Sequence, residues 1–380
     1  MVLIFLTTCI IFLYSRIFLR YNKLWKSIKI SNKKYDNSNF ISVIISCKNE
    51  EKNIVNLIQD LRNQDFDNKK LEIIIINDHS NDQTLSTLNK FSQTYKCLTV
   101  LDMDIEEHGK IMAISKGVKI AKGDIILCTD ADCSLPSGWI STIVCYFQDK
   151  NINFISAPIK YPNEKTYFKK FQLLELISLT ASGGASIYDG KPIFCSGANI
   201  AFRKEIYENI SEDDLNRFIN DDVSLLNYIH KNYKGSISFV KDIRATITTQ
   251  LHETYRSFIK QKIRWINFAK YEKNIYSFYI SLVVFLMNSF LILHFILFLL
   301  TIFYKNQDVL YYLDIYIFLF IFFSKFIVDY IFISSILKFL RLESLSIYIF
   351  PFQIIFAFYV LLIVPLSYII KPEWKNNPLF

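Results

Sequence analysis

Glycine and proline are scarce in this chain, with nine and eight residues among 380. That is too little of either for a collagen-like repeat or a low-complexity linker protein. The seven cysteines, Cys9, Cys47, Cys97, Cys128, Cys133, Cys145 and Cys195, are odd in number, irregularly spaced and never arranged as CxxC. Such spacing excludes a disulfide scaffold and offers no zinc motif, so a reducing compartment is expected. The third shortage is local: residues 276–370 hold only eight charged side chains in 95 positions. A stretch this poor in charge belongs in lipid, and with 52% apolar residues overall the chain is too greasy to be wholly soluble.

What charge there is sits in two places. Residues 20–40 carry six basic side chains and one acidic one, and residues 255–274 carry six and one, so +10 lies in these two segments against a net +8 for the chain. Both adjoin apolar runs, where lysine and arginine mark the cytoplasmic side and meet anionic lipid headgroups. No pattern of a nucleic-acid module accompanies the charge, so membrane lipids, not nucleic acid, are the expected partner.

Residues 2–19 are interrupted only by Arg16 and come close to the ~20 residues a crossing helix needs. They read as an anchor, because no basic segment precedes them and no small-residue cleavage site follows. Residues 276–303, 309–337 and 347–370 give three further runs, the last expected to bend or break at Pro351 and Pro365. With the intervening domain inside the cell, the chain is expected to be an integral protein of the cell or inner membrane. Lys325 and Asp329, four apart in the middle run, should meet on one helix face, either as a functional pair or as a lock between helices.

Between the anchors the pattern becomes βαβα. Residues 41–47 (ISVIISC), 71–76 (LEIIII), 98–101 and 125–129 (IILCT) are apolar runs of strand length separated by stretches of helical period. Continuous apolar strands imply a parallel sheet covered on both faces, with ligands bound beyond the strands' carboxyl ends. Polar groups stand at those ends: Lys48, Asn49 and Glu50 after the first strand, Asn77 and Asp78 after the second, Asp130 and Asp132 after the fourth. A lone carboxylate there commonly caps the next helix, the ordinary alternative for Asp82 or Glu50. Two carboxylates one residue apart can instead share a hard divalent cation with a diphosphate. His108, His230 and His252 show no metal-ligand spacing and read as ordinary polar positions.

SVIISCKNEEKNI, IINDHSNDQT, HGKIMAISKGVKIAKGDIILCTDADC, FCSGANIAFRKEIY, NDDVSLL and QKIRW occur in this order between Ser42 and Trp265. The set resembles the membrane-bound family 2 glycosyltransferases of the GT-A fold, a group that includes synthases of the cellulose and hyaluronan type. Two departures stand out: Asn77 replaces the first aspartate of the second-strand pair, and Asp221 replaces the glutamate of the usual Glu-Asp pair. The resemblance implies an α/β GT-A domain with one N-terminal and about three C-terminal transmembrane helices. The expected boundaries are 1–20 for the first helix, 21–39 for a basic linker, 40–252 for the catalytic domain, 253–275 for an interfacial helix, 276–370 for the later helices and 371–380 for a tail.

The same resemblance implies an inverting transfer from a nucleotide diphosphate sugar, the uridine form being the commonest in such enzymes. Asp132 and Asp130 would hold Mg2+ or Mn2+, Asp222 would be the general base, and Asp78 and Glu50 would bind the nucleotide with Lys110 near the donor. Gln261, Arg264 and Trp265 adjoin one another on one helical surface, where Arg264 could hold the diphosphate and Trp265 stack on a sugar. The basic, aromatic segment 255–271 reads as a helix on the membrane surface, so the acceptor is expected to be a lipid-linked glycan, a glycolipid or a growing polysaccharide. Single addition and processive synthesis stay open. A nucleotidyl- or phosphotransferase leaves Asp222 and QKIRW unexplained, and a non-enzymatic sugar-nucleotide-binding membrane protein should carry more polar residues in its spans.

Overall fold

A computed structural model describes residues 1–30, 39–218, 220–304, 309–370, 373–374 and 377–378. Most of the expected basic linker and tail therefore lies outside the described residues. In chain order the elements begin with helix α1 (Val2–Ser27), strand β1 (Ile41–Cys47), α2 (Ile54–Arg62), β2 (Leu71–Asn77), α3 (Thr84–Thr94), β3 (Leu98–Asp102), α4 (Lys110–Ile120) and β4 (Ile125–Asp130). There follow α5 (Trp139–Val144), β5 (Phe154–Ser156), β6 (Ile159–Lys160), α6 (Tyr167–Tyr188), β7 (Ile200–Arg203), α7 (Lys204–Glu208), α8 (Glu212–Leu215), α9 (Val223–Asn232), β8 (Ile237–Phe239) and β9 (Ile247–Thr248). Helices α10 (Tyr255–Tyr271), α11 (Ile275–Tyr304), α12 (Val309–Leu340) and α13 (Ile349–Ile369) complete the order. The chain divides into two compact units, one of residues 28–163 and 179–251, the other of residues 1–27, 164–178 and 252–380.

The first unit is built on a seven-stranded sheet in the order β3-β2-β1-β4-β7-β5-β8. Strands β1 to β4 run parallel, and β7 is antiparallel to β4 and β5. The four predicted strands form where the β-branched runs stand, because Ile41, Val43, Ile44, Ile45, Ile73, Ile74, Ile75, Ile76, Ile125 and Ile126 are all buried. Register then does the positioning. Cys47 pairs with Asn77, Asn77 with Asp102, and Ser46 with Asp130, so the polar ends of all four strands share one edge of the sheet.

The second unit contains the four membrane-spanning helices, one N-terminal and three C-terminal. Their apolar stretches of 26, 29, 28 and 27 residues all exceed the ~20 needed to cross. One side of each helix packs inward, as Ile10, Met287, Leu291, Ile321 and Ala357 do in a shared cluster. Other apolar side chains, Phe278, Phe303 and Phe320 among them, are exposed, which suits lipid and not water. The expected break in the last run does not occur: α13 is continuous through both prolines. Pro351 stands in the first turn, where its missing N–H has no helical acceptor, and Pro365 costs one hydrogen bond near the far end.

Candidate active site

Strand β1 lies between β2 and β4, so Asp78 and Asp130 stand two strands apart, on either side of the turn that follows Cys47. That turn is tightly tied. The Glu50 N–H donates to Thr84 Oγ1 at 2.8 Å, and Asn53 Nδ2 donates to Glu50 Oε2 at 2.7 Å. Asp82 does more than cap: it accepts from Thr84 N at 2.9 Å and from Glu51 N at 3.2 Å, joining the turns after β1 and β2.

The change from the family's aspartate at position 77 has a local cause. Asn77 is buried and its Nδ2 donates to Asp102 Oδ1 at 2.8 Å on the neighbouring strand. A carboxylate at 77 would face a second carboxylate there.

At the end of β4 the chemistry concentrates around one lysine. Lys110, the first residue of α4, places Nζ 2.7 Å from Asp130 Oδ1 and 2.9 Å from Asp221 Oδ2. Burial alone would lower its pKa, but the charges of Asp130, Asp221 and Asp222 outweigh that and hold it well above the ordinary lysine value. Asp222 opens α9, where its Oδ1 accepts from Val223 N at 2.6 Å and its Oδ2 from Gly197 N at 2.6 Å. These bonds orient the carboxylate, yet burial first and Asp221 second push it up to about 7. Asp132 is likewise pushed up to about 7, by burial first and then by the charges of Asp130 and Glu50.

Asp130, Asp221 and Asp222 act on Lys110, while Asp130 and Glu50 act on Asp132, and this gathering of carboxylates fits a hard divalent ion at Asp130 and Asp132. Gly197 makes room for the cluster. A Cβ there would stand 2.7 Å from Asp221 Oδ2, 2.9 Å from Lys110 Nζ and 3.2 Å from Asp222 Oδ2.

A second grouping had no signal in the sequence spacing. His79 and His108 stand beside Asp78, with ring nitrogens 4.0 and 3.8 Å from its Oδ1. Among the described residues, donor atoms of Asp78, His79 and His108 lie within 4.8 Å of one another. Each histidine stands in a connecting segment, and the two are 29 residues apart in sequence.

With this geometry in view, the chain can be set beside known proteins. Residues 42–211 match the model of glycosyl transferase family 2. The chain is 30% identical over 139 residues to a beta-monoglucosyldiacylglycerol synthase of Trichormus variabilis, covering 36% of this chain and 30% of that protein. It is 23% identical over 227 residues to a poly-beta-1,6-N-acetyl-D-glucosamine synthase of Staphylococcus epidermidis, covering 59% of this chain and 53% of that one. The chain therefore spans between about a third and a half of the length of these relatives. A solved mannosyltransferase from Pyrobaculum calidifontis, in complex with GDP-Man and Mn2+, shares the fold with a TM-score of 0.56 at 14% identity, over 97% of this chain and 98% of that one. The architecture is an α/β GT-A-like domain with one N-terminal and three C-terminal membrane-spanning helices.

Gln261, Arg264 and Trp265 stand on α10, in the unit that holds the spanning helices. Gln261 hydrogen-bonds the imidazole of His252, whose pKa is lowered, chiefly by burial. One face of the Trp265 ring is taken by Lys262, whose Nζ lies 4.0 Å from the ring centroid. Lys262 is itself buried and donates to Glu175 Oε2 at 2.6 Å.

Proposed function

We propose that this chain is a metal-dependent, inverting glycosyltransferase that moves a sugar from a nucleotide diphosphate donor to a membrane-borne hydroxyl acceptor. The observation that carries the reading is the cluster of Asp130, Asp132, Asp221 and Asp222 about Lys110 at the carboxyl edge of a parallel sheet, where such folds bind ligands. Residues 40–252 form the catalytic domain in this reading, on the cytoplasmic side to which the basic segments point.

Asp222 acts as general base, and a carboxylate whose pKa lies near 7 suits that task. It takes the acceptor hydroxyl's proton while the oxygen bonds to the anomeric carbon; the bond from that carbon to the diphosphate breaks, and its electron pair leaves with the diphosphate. Attack and departure on opposite faces turn an α-linked donor into a β-linked product. Asp132 and Asp130 would hold a Mg2+ or Mn2+ ion, which would supply positive charge to offset the leaving diphosphate. Lys110 lies beside the donor phosphates, and Asp78 and Glu50 hold the nucleoside through charge-assisted hydrogen bonds. Arg264, Gln261 and Trp265 serve the diphosphate and the acceptor sugar.

The donor can be a uridine or a guanosine form, since the fold neighbour holds GDP-Man. The acceptor class is a glycolipid, a lipid-linked glycan or a polysaccharide. A lipid product is named for one relative and a polymer for another, so processive synthesis is the second reading.

Membranes incubated with labelled nucleotide sugars and Mn2+ should yield labelled product, and Asp222→Asn should reduce the rate by at least about 100-fold without loss of folded protein. Because a base must be deprotonated, the wild-type rate should fall about tenfold per pH unit below about pH 7. Product length separates one addition from many. Undiminished transfer in Asp222→Asn refutes the assignment.

A further inference from the structure

We propose that Asp60, on α2 and between the first two sequence motifs, is a positioning residue for the divalent-ion site: its hydrogen bonds to the segment after Asp132 hold the Asp130–Asp132 turn in the shape that takes the ion. The inference rests on the reading that Asp130 and Asp132 bind that ion, and goes beyond it by naming what holds them in place. Within the turn, Cys133 N donates to the Asp130 carbonyl at 3.2 Å. Two carboxylates one residue apart repel each other, so the turn spreads unless the chain beyond it is fixed.

The fixing begins two residues after Asp132. Asp60 Oδ2 accepts from Leu135 N at 2.8 Å and from Ser134 Oγ at 3.0 Å. Gln64 Oε1 accepts from Ile140 N at 3.1 Å, and Gln64 Nε2 donates to the Pro136 carbonyl at 2.9 Å. On the other side Ser134 and Thr248 of β9 exchange backbone bonds, Ser134 N to Thr248 O at 2.8 Å and Thr248 N to Ser134 O at 3.0 Å. Asp60 brings charge to this set, and a carboxylate accepting from a backbone N–H makes one of the stronger hydrogen bonds a protein has. Spacing explains why a single helix can serve. Asn53, Asp60 and Gln64 are seven and four residues apart and share one helical face. Asn53 holds Glu50 Oε2 at 2.7 Å, so α2 fixes the turn after β1 from its start and the turn after β4 from its end.

Mn2+ is the probe, added to the purified full chain in detergent, with the free ion read by electron paramagnetic resonance. Asp132→Asn sets the baseline and should abolish tight binding. Asp60→Ala should raise half-saturation about tenfold, the usual cost of removing a group that supports metal ligands. Asp60→Asn keeps an oxygen that accepts both bonds and should stay within about threefold of wild type. Ser134→Ala removes one of the two bonds and should also shift half-saturation about threefold. Asp67→Ala, which removes the acceptor of Lys69 N at 2.9 Å in the same α2–β2 connection, should leave it unchanged. Thermal unfolding confirms that each variant is folded. A shift as large in Asp60→Asn as in Asp60→Ala would make charge and not hydrogen bonding responsible, and no shift in Asp60→Ala would leave the turn indifferent to α2; either overturns the proposal. Should Asp60→Ala fail to fold, unchanged affinity in Ser134→Ala overturns it. Failure of the underlying reading would show separately, as Mn2+ binding that Asp132→Asn leaves intact.

Discussion

Lys110 and Lys325 each have a carboxylate oxygen 2.7 Å from Nζ, one in the α/β unit and the other among the spanning helices, yet their surroundings are opposite in kind. Around Lys325 the account closes. Its Nζ donates to Asp329 Oδ2 and Gln353 Oε1, both at 2.7 Å; Gln353 Nε2 returns to Asp329 Oδ2 at 2.9 Å; and Tyr14 OH donates to Asp329 Oδ1 at 2.5 Å. One positive and one negative charge are matched, and α1, α12 and α13 are joined by the network. Around Lys110 one cation faces Asp130, Asp221 and Asp222, with Asp132 and Glu50 adding further repulsion at the edge. A satisfied buried network holds helices together, whereas an unbalanced one stores affinity for cations. The intramembrane pair, which sequence alone leaves open between function and lock, is on this comparison a lock.

The same substitution at the two lysines should separate these roles. Lys110→Met should cost transfer at least about 100-fold, as loss of a group that contacts the donor phosphates does. Folding should suffer little, since Asp130 is more than a third exposed and can be rehydrated. Lys325→Met should leave the transfer rate per folded molecule unchanged but cost about 3 kcal/mol or more by stranding Asp329 among apolar helices. The double variant Lys325→Met/Asp329→Leu should regain much of that loss, because matched apolar groups often replace a buried pair without penalty. Thermal unfolding in detergent and initial rates measure both. A rate loss at Lys325 as large as that at Lys110 would break the distinction.

Gly197 sharpens the comparison within the α/β unit. Gly197→Ala adds one methyl group where Asp221, Lys110 and Asp222 already crowd, and the nearest neighbour stands at 2.7 Å. The cluster must shift, and misplacing a general base by about an ångström costs about 100-fold or less. The fall should appear in kcat, with KM for the nucleotide sugar nearly unchanged, if Asp78 and Glu50 hold the nucleoside as proposed.

How much of this was legible beforehand depended on distance along the chain. β1 runs over the stretch expected for it and α10 over Tyr255–Tyr271, since each is a local run with one dominant period. Lys325 and Asp329 meet because four residues is one helical turn. Tyr14 reaches the same carboxylate from 315 residues away, which no local pattern encodes. Asp130, Asp132 and Asp222 are marked in the sequence by ordered motifs, but that Lys110 ties Asp130 to Asp221 is seen only in three dimensions. His79 adjoins Asp78 in the sequence, but His108 reaches the same carboxylate from the turn before α4, thirty residues on, which no local pattern encodes. The prolines of α13 misled in the other direction: a breaker matters less in a helix whose first turn and packing already meet its needs.

The mildest test concerns a carboxylate that the family pattern favours and this chain lacks. Asn77→Asp restores the family's residue but replaces the donor that Asp102 accepts from at 2.8 Å with a second acceptor in a buried position. The loss of a hydrogen bond to a charged group and the new repulsion should together cost about 2 kcal/mol. The penalty should be largest above neutral pH and shrink as the solution is acidified, because one shared proton restores a donor between the two carboxyl groups. Transfer should hardly change, since Asn77 points along the sheet to β3 and not to the cluster about Lys110. Unfolding temperatures at two pH values, set beside initial rates, therefore ask whether a charge added two strands away from Asp130 is felt by the fold alone. A rate loss that matches Gly197→Ala would mean that the negative edge acts as one site from β3 to β4, and that the cluster about Lys110 is only its most crowded part.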